Sequence, residues 1–359
     1  MDKNFAFLIV TGAPDHTEFG IDLLAINITQ EFRGVKFIPQ GVHFVYASSK
    51  DQYGNPSVSR SGFIHYFKNG EILVKEWNRE NEELQNRTKG DIEEEKKRIR
   101  ENLKNLDRFL AIYDYENIGK WKNLTNTLTE EAIKRMSPEA GIIRNEVEFK
   151  SCPDKDRPRG NATTPIRNVK IRSVDDESMY LPNMEVISET QPKYSKLPER
   201  YNQFSSPSEK TFNNVDTINI IDKLFNEIST KSNLLEELQF SFIVYLCTLS
   251  IESLSHWRQI VSLLCNSEQA VEKYKPFYRH FVNIIRHQIP EIPIEFIEQS
   301  STNTIYIDIK SLLRNLELND CKDISESLQK HLDDTISWTF DDLLEEDPED
   351  LPQIVEIDT

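Results

Sequence analysis

The chain has 359 residues, of which 38% are hydrophobic and 29% charged, with 16 prolines; this length suits two domains and a linker better than one domain. Asp and Glu number 60 against 43 Lys and Arg, a net charge of −17. That balance argues against non-specific nucleic-acid binding, because basic side chains supply such affinity by neutralising phosphates. No apolar stretch approaches the ~20 residues of a membrane span, and the start MDKNFAFLIV lacks the parts of a secretory signal, so a soluble, intracellular protein is expected.

Residues 1–150 read as a β-rich domain with helices at its end. Phe5 to Val10 is a buried-strand candidate, and Val42–Tyr46 and Phe63–Phe67 are rich in aromatic and β-branched residues. Asn69-Gly70 ahead of the run Glu71–Trp77 is a hairpin signal. Short strands at this spacing, punctuated by glycine and proline, predict an antiparallel sheet or sandwich. A helix is predicted from near Asp91, with Ile99, Leu103, Leu106, Leu110 and Tyr113 on one face. A shorter one is expected between Thr129 and Gly141.

Residues 151–213 are polar and proline-punctuated, the composition of a linker. Residues 214–340 carry helical patterns. Asp216 or Thr217 caps the first, Asn233 precedes the run from Leu234 to Ile251, and Ser253 or Ser255 precedes His256–Leu264. Pro276 opens a helix that Pro290 stops, and two more run over Asp308–Leu318 and from Asp323 to about Trp338. Stacked helices of this kind make an all-α domain. Residues 341–359 form an acidic tail ending in a short β-prone segment.

No catalytic signature stands out. Phosphate-loop, dinucleotide and nucleophile-elbow spacings are absent, and no histidines fall at metal-binding spacing; His280 and His287 are two helical turns apart. His43 and His65 alternate with aromatics in predicted strands, a sheet-face position that also admits a histidine–carboxylate hydrolase. Cys152, Cys247, Cys265 and Cys321 form no CxxC pair and read as free thiols. The most apolar and aromatic stretch, Leu238 to Ala270, reads as a surface that binds rather than converts. Phe240, Trp257 and Arg258 are its contact candidates by residue type only, and each equally admits a place in the core.

Two segments resemble a known family. The first is Gly12-Ala-Pro-Asp-His-Thr-Glu-Phe-Gly-Ile-Asp22 with Phe32-Arg-Gly-Val-Lys-Phe-Ile-Pro-Gln-Gly-Val-His-Phe44, in which Gly20 and Gly34 are expected to permit tight turns and Pro39 to Gly41 to make a corner. The second is Leu238–Ala270, with its LQF, HW and LLC–SE elements. Together they are similar to the A1 cistron-splicing factors, assembly chaperones of the U5 snRNP.

The resemblance implies an α+β protein: a β-sandwich-like N-terminal domain with flanking helices, a linker and a C-terminal all-α, VHS-like domain. It implies no enzymatic activity, no cofactor, no metal and no direct contact with nucleic acid or membrane, in cytoplasm and nucleus. The implied partner is the large central U5 protein, through its RNase H-like domain, with its MPN-like domain as a further candidate. Binding there would delay loading of the helicase and of RNA. Leu351, Ile354, Val355 and Ile357 would add a strand to that client. From position rather than from the resemblance, Ser253 and Ser255 lie just before a predicted helix, where phosphorylation would add about −2 of charge and cap the helix or disrupt a contact; a plain N-cap serine is the alternative reading. The rival reading is a VHS- or ENTH-type helical adaptor in trafficking, which the acidic charge opposes.

Overall fold

Five consecutive apolar residues, Ala6 to Val10, cannot alternate between core and water, so a strand built from them must be covered on both faces. The computed structural model describes residues 4–49, 59–87, 92–151, 184–198, 216–228, 230–300, 302–340 and 343. Its strands are β1 (Ala6–Thr11), β2 (Glu18–Ile21), β3 (Leu24–Asn27), β4 (Gly34–Ile38), β5 (Gly41–Ser48), β6 (Ser61–Phe67), β7 (Ile72–Asn78), β8 (Glu83–Asn86), β9 (Leu110–Ile112), β10 (Ile143–Arg144), β11 (Phe149–Ser151) and β12 (Met184–Val186). One five-stranded sheet runs β8-β7-β1-β4-β9, a second runs β10-β6-β5-β2-β3, and β11 pairs with β12.

Both covers of β1 are visible. On one side Phe7 and Ile9, with Ile72, Val74 and Leu110, pack against Ile99 of helix α1 (Ile92–Leu106). On the other side lies the second sheet. The Lys75 ammonium of β7 stands 3.8 Å from the centroid of the Phe63 ring of β6 and donates to Asn86 Oδ1 at 2.8 Å. Burial pulls the pKa of that lysine down to about 8. Arg144 of β10 reaches Glu83 of β8 at 2.7 Å, a further tie between the sheets.

Three expectations change here. Asn69-Gly70 does not close a hairpin, because β6 and β7 belong to different sheets. The turn, closed by Glu71 N–H to the Lys68 carbonyl at 3.0 Å with Gly70 at φ 73°, carries the chain from one sheet to the other. There β7 pairs in parallel with β1, Phe7 opposite Ile72 and Ile9 opposite Val74, and β4 pairs in parallel with β9, so the first sheet is mixed rather than antiparallel. The helical face read through Tyr113 ends at Leu106. Leu110 is in β9 yet reaches the same cluster as Ile99, so the apolar spacing persisted across a change of element.

The described residues divide into two units. One takes them from Met1–Tyr113, Ile133–Lys193 and Cys247–Ser250, and the other from Asp114–Ala132, Tyr194–Leu246 and Ile251–Thr359. The second unit is helical: α2 (Ile118–Thr125), α4 (Ile218–Glu227), most of α5 (Lys231–Thr248), α6 (Ile251–Cys265), α7 (Glu268–Lys273), α8 (Lys275–Gln288), α9 (Thr304–Leu318) and α10 (Lys322–Ile336), while α3 (Glu130–Met136) and the last two residues of α5 cross the division. The fold is α+β as expected. Helix α2 was not foreseen in the sequence; its eight residues are too few to show a clear period.

In α5 every residue from Leu234 to Tyr245 is buried, which marks an interior helix. Phe240 and Trp257 have 0% exposure, and Trp257 Nε1 donates to Gln288 Oε1 at 2.8 Å. The stretch read as a binding surface is therefore largely core.

Gly20 is not at a turn. It lies in β2 opposite Tyr46 of β5, and a Cβ there would sit 2.0 Å from the Tyr46 ring. Gly34 does need its freedom, at φ 134° with Leu8 O 1.9 Å from where a Cβ would be. Gly20→Ala is expected to cost about 1–3 kcal/mol by overpacking. Gly119→Ala, an exposed position in α2 with nothing within 4 Å, should be neutral or stabilising by up to about 1 kcal/mol. Urea unfolding of both variants checks the pair.

Candidate functional site

In the N-terminal unit the two halves of the first motif meet at one carboxylate. Asp22 follows β2 at φ 55°. Its Oδ2 lies 2.6 Å from His43 Nδ1 and accepts the Tyr113 hydroxyl at 2.6 Å, while Oδ1 accepts the Phe44 N–H at 2.9 Å. His43 Nε2 lies 2.9 Å from the Pro39 carbonyl. A carbonyl only accepts, so Nε2 carries a proton and Nδ1 shares one with the carboxylate. Asp22, His43 and Tyr113 are 4%, 2% and 3% exposed. The hydrolase-like pairing of histidine with carboxylate is therefore present at His43, but it is closed to solvent and its polar atoms are engaged with each other. Its physical role is that of a buried latch between the β2 end, the β4–β5 corner and the residue after β9.

His65 also has a carboxylate, Glu71, at 2.8 Å and nearer the surface. Burial works to raise the Glu71 pKa, but the hydrogen bonds from His65 and from the Lys68 N–H outweigh it and hold the carboxyl below its usual range.

In the helical unit a second polar cluster forms on α5 and α6. Glu237 is buried. It accepts His256 Nε2 at 2.6 Å, the Ser195 N–H at 2.7 Å and the Ser195 hydroxyl at 2.7 Å. The Tyr194 ring stacks on His256, centroids 4.3 Å apart and planes 9° apart, and its hydroxyl donates to Ser253 Oγ at 2.8 Å. Burial pushes the Tyr194 phenol well above its ordinary value. Residues 194–195, which lie inside the stretch 151–213 read as a linker, are thus strapped onto the helices.

This places the predicted site residues. Ser253 is buried inside α6, whose first residue is Ile251, and Ser255 is exposed in the same helix. Neither precedes it, because the helix starts earlier than the HW element suggested. Arg258 is exposed and donates to the Thr304 hydroxyl at the start of α9. Phe240 and Trp257 pack the core and offer no surface. Leu351, Ile354, Val355 and Ile357 lie outside the described residues, as does Cys152.

Cys247, Cys265 and Cys321 are free and buried, and burial pushes the Cys247 and Cys265 thiols up. His287 meets not His280 but His331 of α10, edge to face at 5.7 Å. Burial and the Arg286 charge lower both imidazoles. Among the described residues no group of three or more His, Cys, Asp or Glu could hold a metal ion, and no helix is long and apolar enough to cross a membrane.

Residues 4–138 match the family model of the AAR2 N-terminal domain, and residues 194–341 match that of the AAR2 C-terminal repeat region. The chain belongs to the AAR2 family. It is similar to the AAR2 homologue of Mus musculus, 30% identical over 365 residues that cover 98% of this chain and 94% of the relative. It is also similar to that of Homo sapiens, at 29% with the same coverages, and to that of Caenorhabditis elegans, at 30% over 95% of this chain and 96% of the relative. The resemblance drawn from the two motifs is thereby borne out. In this AAR2-family chain the first motif owes its shape to the Asp22 latch and the second to the burial of α5 and α6.

Asp22→Asn keeps the positive φ but removes the charged acceptor, and should cost about 1–3 kcal/mol. Tyr113→Phe should cost about 1 kcal/mol. Because both act through Oδ2, the double variant should lose less than the sum. Urea unfolding of the three variants tests this; strict additivity would contradict a shared latch.

Proposed function

We propose that this AAR2-family chain is a non-enzymatic pre-mRNA splicing factor that chaperones assembly of the U5 snRNP. In this reading it binds the RNase H-like domain of the large central U5 protein and delays loading of the helicase and of RNA, working in cytoplasm and nucleus. The observation that carries the proposal is family membership spanning both halves of the chain. Family identity supports the splicing-assembly role, and the named client domain is the finer part of the proposal.

Two physical points support it. An excess of 60 acidic over 43 basic residues suits a protein that covers a basic, RNA-holding surface on another protein. Among the described residues the His43–Asp22 and His256–Glu237 pairs both engage their own fold, which favours recognition as the use of the surface. The four-part division into residues 1–150, 151–213, 214–340 and 341–359 belongs to this proposal, with the tail contributing Leu351, Ile354, Val355 and Ile357 as a strand added between two domains of the client. Arg258 is the exposed contact candidate of the helical domain.

Calorimetric titration with the purified RNase H-like domain should give tight, saturable binding, weakened but not abolished by removing residues 346–359. No heat from either form would end this reading. Phosphorylation belongs to the same proposal. A charge at Ser253 would meet the Tyr194 hydroxyl beside buried Glu237 and lift the strap. Ser253→Glu should therefore lower client affinity roughly tenfold or more, while Ser255→Glu, on the exposed face, should change it little. Equal affinities for both variants would remove Ser253 as the switch.

A further inference from the structure

In a chain of net charge −17, an exposed helix face bearing unpaired cations calls for an acidic neighbour. Helix α9 presents such a face. Ile307, Lys310, Arg314 and Leu318 follow one another at steps of three and four and so form one stripe. Ile307 and Leu318 are 43% and 49% exposed, Arg314 is exposed and Lys310 half-buried. Neither cation has an ion pair or hydrogen-bond partner for its side chain among the described residues. The opposite face of the helix, Ile305, Ile309, Leu312 and Leu316, is already buried in the core, so the stripe is not a misplaced core surface.

The fold brings one segment of the same chain to this stripe. Ser337, at φ 58°, ends α10. Trp338 Nε1 then donates to the Ile297 carbonyl at 2.8 Å, and the Tyr306 hydroxyl donates to the Thr339 carbonyl at 3.1 Å. The Phe340 ring stacks on Tyr306 at 5.4 Å with 12° between planes. Tyr306 is the residue before Ile307, so the C-terminal segment departs beside one end of the stripe.

Residues 344–359 lie beyond the described part of the chain. Their sequence is acidic first (Glu345, Glu346, Asp347, Glu349 and Asp350) and apolar second, from Leu351 to Ile357. From Leu343 to Leu351 the contour reaches about 28 Å, whereas Ile307 to Leu318 spans only about 16 Å along the helix axis. Length, starting point and charge all agree.

We propose that the C-terminal segment 345–357 docks on the α9 stripe of its own chain, its carboxylates against Lys310 and Arg314 and its apolar end against Leu318. Docked this way, the segment is withheld from any other protein until it is displaced. The inference concerns the free chain and does not depend on which client is bound.

The test places benzoylphenylalanine at position 353 of the full chain and maps its photo-cross-links by mass spectrometry at low protein concentration. Cross-links to α9 within a chain of monomeric mass are expected. Lys310→Glu with Arg314→Glu should cut their yield roughly fivefold or more, because two attractive surface pairs become repulsive. Adding Glu345→Lys, Glu346→Lys and Asp347→Lys to that chain should restore it. If the double reversal loses its helical circular dichroism, Lys310→Gln with Arg314→Gln replaces it, with the same loss expected. Cross-links elsewhere, cross-linked dimers, a yield indifferent to the charge changes, or no rescue in a folded variant would each overturn the proposal. Client binding is not read in this experiment, so its failure and that of the assembly role stay separate.

Discussion

A helix whose residues from Leu234 to Tyr245 are all buried must satisfy every polar group it carries from inside the protein, since an unpartnered buried group costs about 1–3 kcal/mol. Helix α5 carries Glu236, Glu237, Gln239 and Ser241 in that run, and each has its partner. The Thr129 hydroxyl donates to Glu236. Gln239 accepts the N–H and hydroxyl of Thr127 and donates to Asn126 and the Asn123 carbonyl. Ser241 donates to the Leu238 carbonyl. Glu237 holds His256 and Ser195. The segments around α2 and the strap at Tyr194 are therefore fixed in the helical unit by what α5 requires.

The same logic runs in the N-terminal unit around Asp22. The carboxylate that follows β2 there is hydrogen-bonded to a ring nitrogen, a phenol and a backbone amide, and these partners come from parts of the sequence as far apart as β5 and the residue after β9. Side chains that look reactive in a string of letters are occupied in holding strands together. A histidine with a carboxylate at 2.6 Å would suggest chemistry if it lined a cleft. At 2% exposure it lacks room for a substrate.

Charge sets the third theme. Acidity dominates the chain, and its recognisable cations are spent in particular places: Lys75 over an aromatic ring between sheets, Arg144 on Glu83, Arg279 on Asp323. Against that background the α9 stripe stands apart, because its two cations are flanked by exposed apolar residues and, among the described residues, lack carboxylates of their own. An acidic segment with an apolar end makes indiscriminate contacts when left uncovered, and docking on a basic stripe of the same chain, as proposed above, would limit them.

The sequence alone determined the α+β class, the β1 strand, most of the C-terminal helices and the family, because these rest on local patterns: a continuous apolar run, a period near 3.6, a proline at a helix start and two motifs in order. Tertiary structure decided what local pattern cannot carry. Asn69-Gly70 marks a turn, but only the pairing of β7 with β1 determines that the turn joins two sheets. Ile99 and Leu110 keep helical spacing although one is in a helix and the other in a strand, because both answer to the same core. Trp257 and Arg258 are neighbours in sequence, and only the packing of α6 against α8 and α9 sends one inward and the other out. Hydrophobic residues announce that they will be buried. Whether by their own protein or by a partner depends on contacts made far along the chain.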